Sequence, residues 1–96
     1  MERLKQRLEE TLRMQFPGSD IALETHRRAA RISGIIAWDG FQGLEPIDRA
    51  SRLWCVLREG FSREDQLRLS AIIPLSPAEY AVYKHEQAAG HETLAA

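Results

Sequence analysis

Ninety-six residues make one domain, at the size where a single hydrophobic core is adequate and little more. With 44% hydrophobic and 28% charged residues and a formal net charge of -1, the composition is that of a globular protein. It excludes whole-molecule electrostatic attraction to nucleic acid or to an anionic membrane, while leaving room for a local basic patch.

Cys55 is the only cysteine, so no intramolecular disulfide can form and the expected location is the cytoplasm. Its expected role is that of a small apolar space-filler in a helix. The amino terminus, MERLKQRLEETLRMQ, is too charged for a signal peptide, and no apolar run approaches membrane-spanning length. The domain is expected to occupy residues 1–90, with 91–96 a flexible tail.

In chain order, Leu4, Leu8 and Leu12 recur every fourth residue and predict a first helix over about Glu2 to Gln15. Its stripe suits the domain's own sheet, although a partner helix or a membrane surface would use the same pattern. Pro17 and Gly18 end it. A short strand follows over Ile21–Thr25, then a buried central strand over Ser33–Trp38, apolar and bounded by turn residues. Two strands so close predict an antiparallel hairpin, but no Asn-Gly or Asp-Gly pair marks its tip and the register stays open.

From Pro46 the apolar positions Ile47, Ala50, Leu53, Trp54 and Leu57 switch to helical spacing, with Gly60 expected as a left-handed cap. Ser62 then caps a short helical turn with an acidic start. Leu67, Leu69, Ala71, Ile73 and Leu75 alternate and predict a third strand with one buried face, ended or edged by Pro74. Ser76-Pro77-Ala78-Glu79 is a capping box opening a last helix to about Ala88. The order is α-β-β-α-(short α)-β-α. The long crossover makes the second and third strands parallel, giving an α+β fold in two layers: a three-stranded mixed sheet covered on one face by helices.

Catalytic chemistry has little to stand on. No two of His26, His85 and His91 have metal-ligand helical spacing, and the acidic residues are scattered as on a solvated surface. The chain is read as non-enzymatic. The densest positive charge is His26-Arg27-Arg28 with Arg31 close behind, and arginine forks grip phosphates or carboxylates bidentately. Arg49, Arg52 and Arg68 extend that patch if they share its face. Gly40-Phe41-Gln42-Gly43 is a G-x-x-G loop, a pattern that serves either turn geometry or close approach to a nucleic-acid backbone.

Together these residues resemble the BolA-like family. The family's "D-x-F-x-G" turn is matched by Asp39-Gly40-Phe41-Gln42-Gly43, and its arginine-bearing helix by Arg49 to Leu57. Its "L-T-P-E-E-W" is matched by Leu75-Ser76-Pro77-Ala78-Glu79-Tyr80, and its "E-S-H" by Glu24-Thr25-His26. The similarity runs from roughly Leu4 to Tyr80. It implies a class II KH-like arrangement and a stress- or morphology-linked regulator that binds DNA, or a monothiol glutaredoxin with which it shares an iron–sulfur cluster.

Two departures matter. Arg49-Ala50-Ser51 stands where the family usually reads "R-H-R", and Arg68 stands where a histidine often ligates the cluster. Arginine keeps its proton and cannot ligate iron, so His26 alone matches a ligand position and no cofactor is expected. The resulting expectation is a regulatory binding domain contacting nucleic acid through Arg27, Arg28, Arg31, Gly40, Gly43, Arg49 and Arg68. The alternative is a protein-interaction module with a glutaredoxin-type partner or a second copy of itself.

Overall fold

A computed structural model describes residues 2–95, with side chains described from 2 to 87. The chain folds as α1 (Glu2–Gln15), β1 (Asp20–His26), β2 (Arg31–Ala37), a single 3-10 turn (Asp39–Phe41), α2 (Pro46–Gly60), α3 (Arg63–Leu67), β3 (Leu69–Leu75) and α4 (Pro77–Ala95). The sheet order is β1-β2-β3, with β1 antiparallel and β3 parallel to the central β2. This is the expected α+β, mixed three-stranded architecture.

One side of the sheet carries the core. Leu4, Leu8 and Leu12 of α1 and Leu53 and Leu57 of α2 bury against Ile32 and Ile36 of β2 and Leu69 and Ile72 of β3. The leucine stripe of α1 is therefore spent inside the domain, and is not a free surface for a partner helix. Phe16, Trp38 and Phe41 close one end of this core, with ring centroids 5.0 to 5.4 Å apart. The Trp38 indole N–H, which needs a partner at this depth, donates to the Pro17 carbonyl at 2.9 Å.

α4 corrects the expectation that helices cover only one face of the sheet. It leaves the end of β3 and crosses the opposite face, where Tyr80 and Tyr83 stand over Ser33, Ile35, Ala71 and Ile73. By Lys84 it has reached the start of β1, with Nζ 3.8 Å from Asp20 Oδ2. Its helix extends to Ala95 and does not stop near Ala88; the expected flexibility of the 91–96 tail concerns side chains outside the described residues.

Three local expectations are corrected. β3 begins at Leu69, because Leu67 closes α3 and is exposed, and its buried face is Leu69 and Ile72, while Ala71 and Ile73 face out. The cause is a register irregularity: Ile32 pairs with Leu69 but Gly34 with Ile72, so one extra β3 residue reverses the alternation. Gly60 is not in the left-handed region; α2 ends instead on extended Phe61, whose N–H bonds the Leu57 carbonyl and whose ring is buried beneath Arg7. On α2, Ile47 and Cys55 are exposed, the thiol 3.7 Å from Glu59 Oε1, so Cys55 fills no core space.

Candidate nucleic-acid interface

The β1–β2 hairpin positions the basic residues. Its ladder is unbroken from Asp20↔Ala37 to His26↔Arg31, so the tip is residues 27–30. There the Ala30 N–H donates to the Arg27 carbonyl at 3.2 Å, and Ala30 occupies the left-handed region at φ 52°. Arg27 and Arg28 are exposed on this turn, and Arg31 is exposed at the start of β2.

Arg68 joins them from the third strand. It caps α3, and its carbonyl accepts the Ile32 N–H at 2.8 Å, which fixes it beside the hairpin end of the sheet. Its guanidinium lies 3.9 Å from Glu64, a loose exposed contact. Among the described residues, Arg27, Arg28 and Arg31 form no ion pair. His26 belongs to the same end: its Nε2 is 2.7 Å from Ser33 Oγ, a hydroxyl–imidazole contact across the hairpin.

The remaining candidates lie elsewhere. Gly40 and Gly43 follow the other end of β2, about 20 Å away along a seven-residue strand. Their identities answer to the turn itself. A Cβ at Gly40 would run into the Trp38 ring, and Gly43 sits at φ 83°. Phe41 between them is fully buried. Arg52 is exposed on α2.

Arg49 is turned inward, 8% exposed. Its Nε donates to the Leu44 carbonyl at 3.0 Å and its Nη1 to Glu79 at the head of α4. Glu79 also closes the capping box, accepting the Ser76 N–H at 2.8 Å while Ser76 Oγ accepts the Glu79 N–H at 3.3 Å. The Ser76 N–H, then the Arg49 guanidinium, hold the Glu79 carboxyl down at about 2. Arg49 thus ties α2 to α4 and is unavailable to a ligand.

The opposite face of the sheet adds a groove of about 420 Å³ beneath α4, lined by Ser33, Ile35, Ala71, Ile73, Tyr80 and Tyr83. Sequence reasoning missed it, because the β3 irregularity that turns Ala71 and Ile73 outward leaves no local signal. Among the described residues no three or more His, Cys, Asp or Glu side chains gather as metal ligands. No described helix is long and apolar enough to cross a membrane.

No family model matches the chain, and no curated protein matches it. Solved structures do. BolA1 from Arabidopsis thaliana superposes with a TM-score of 0.61 at 22% identity, over 82% of this chain and 98% of that one. A bol-like protein from Babesia bovis gives 0.60 at 17% identity, over 83% and 92%. The chain has a BolA-like fold. The BolA domain of SufE1 from Arabidopsis thaliana adds a TM-score of 0.60 at 20% identity, over 77% of this chain and 92% of that domain. On that BolA-like frame, the structure divides the sequence candidates into a basic hairpin end and a glycine-turn end with a structural arginine.

Proposed function

We propose that the protein is a non-enzymatic regulatory binding domain of the BolA-like type that holds nucleic-acid phosphates at the hairpin end of its sheet. The observation that carries this is the gathering of Arg27, Arg28, Arg31 and Arg68 at one end, three of them without an ion pair among the described residues. Exposed guanidinium groups gathered at one end of a sheet suit phosphate oxygens, which position a duplex or a strand without reading its sequence. Overall charge is near neutral, so binding depends on this array and not on a general field.

A shared iron–sulfur cluster is not part of this reading. His26 is one imidazole, already bonded to Ser33, and the neighbouring positions are arginines that stay protonated. These residues do not fit a cluster.

The test is fluorescence anisotropy with labelled DNA and RNA over a salt series. The wild-type protein is expected to bind with log K falling against log salt at a slope of roughly -3, for three or four neutralised phosphates. Replacing Arg27, Arg28 and Arg31 together by Ala is expected to reduce that slope to about -1 and weaken binding across all sequences alike. Absence of binding at micromolar protein in low salt, or an unchanged slope in the triple variant, overturns the reading.

A further inference from the structure

The sheet has two edges, and the chain protects them unequally. On β3, Pro74 has no N–H to offer a further strand, and the ladder to β2 is already irregular. β1, reading DIALETH, contains no proline or glycine and pairs with β2 in unbroken register over seven residues, so its outer edge offers a continuous row of backbone N–H and C=O groups, with Asp20 and Glu24 its charged residues. Exposure agrees. Ile21, Leu23 and Thr25 point toward the helices and are only half-buried, while Asp20, Ala22, Glu24 and His26 are exposed on the other face.

The same strand is self-complementary. Two copies paired antiparallel about a two-fold axis normal to the sheet must oppose residues that share a face. Centred on Leu23, all of β1 pairs: Asp20 faces His26, Ile21 faces Thr25, and Ala22 faces Glu24. Moving the centre to Ala22 sets Asp20 against Glu24, and moving it to Glu24 sets that carboxylate against its own copy. Both neighbouring registers shorten the ladder and oppose like charges, which destabilises a strand pair. In the Leu23-centred register the Asp20 carboxylate lies between Lys84 of its own chain and the imidazole of the second copy.

We infer that β1 is a homotypic interface, pairing antiparallel with β1 of a second copy about Leu23 to form one continuous sheet. The pairing covers the open flanks of Ile21 and Leu23. It sends the two arginine hairpins to opposite ends of the interface.

Register-specific crosslinking tests this in a Cys55→Ser background, since Cys55 is exposed and would form disulfides of its own. Directly opposed Cα atoms in an antiparallel pair lie about 4.5 to 5.5 Å apart, within disulfide reach. An oxidised equimolar mixture of Ala22→Cys and Glu24→Cys proteins is expected to give a disulfide-linked heterodimer, while each variant alone stays uncrosslinked. Crosslinking of Ala22→Cys alone or Glu24→Cys alone contradicts the register, and no crosslink in the mixture contradicts the interface. Sedimentation gives a second readout: Asp20→Lys is expected to raise the dimer dissociation constant roughly tenfold, because the pair occurs twice, and adding His26→Glu to restore it. A monomer at all accessible concentrations, or no restoration, overturns the inference.

Discussion

Glu79 does two jobs with one short side chain: it closes the α4 capping box by accepting the Ser76 N–H, and it neutralises the buried Arg49 that braces α2. Its carboxyl titrates at about 2, below the ordinary 4.5, so it favours the folded state fully above pH 4.5. That contribution is lost as pH falls through the range from 4.5 to about 2, where the folded protein must take up the proton. Glu79→Gln is expected to cost on the order of 1 kcal/mol at neutral pH, the carboxylate being half exposed and screened. Urea melts across pH 2 to 5 check the sign: the wild type is expected to lose its advantage over Glu79→Gln on acidification. At this scale the capping box was legible, because Ser-x-x-Glu after a strand and before an apolar helix has one meaning. The separate fates of the arginines were not. Arg49 and Arg68 look alike in sequence; which one is buried depends on α4 arriving with Glu79, a contact between residues thirty positions apart.

The hairpin is the element that makes the basic residues into a group. Its register was hidden because the left-handed turn position is held by Ala30, not by the glycine or asparagine that would announce it. A Cβ in that conformation costs about 1 kcal/mol, which glycine does not incur. Ala30→Gly is therefore expected to stabilise the protein by roughly 0.5 to 1 kcal/mol, read as a rise in the urea midpoint with unchanged slope, and to leave nucleic-acid affinity as it was. Other elements were legible in part. β2 matches the short apolar run it was read from, buried on both faces of the sheet, and α1 follows its periodicity closely, since it buries one continuous stripe. β3 does not, because its bulge is set by pairing with β2 and reverses the alternation that the apolar residues advertise. The end of α2 likewise answers to Phe61 settling into the core, a tertiary contact that outweighs the capping tendency of Gly60.

For the whole molecule, the decisive feature is the direction in which the sheet runs. The antiparallel hairpin and the parallel return of β3 bring residues 27, 28, 31 and 68 to one end. They carry the Asp39–Gly43 turn, Arg49 and the head of α4 to the other. Element order was readable from the chain because strand spacing gives way to helix spacing after Gly43; that α4 crosses the other face of the sheet was not. The grouping of candidates was not, because nearness in sequence between Arg31 and Gly40 becomes the length of a strand in space. BolA-like topology thus leaves this chain with one exposed basic end and with glycines that serve a buried aromatic turn. Amide chemical-shift mapping during titration with a short DNA or RNA separates the two ends most directly. Phosphate binding at the hairpin end is expected to perturb Arg27, Arg28, Arg31, Ile32, Arg68 and Leu69 and to leave Gly40 to Leu44 unmoved; shifts centred on Gly40 and Gly43, with the hairpin silent, would contradict it.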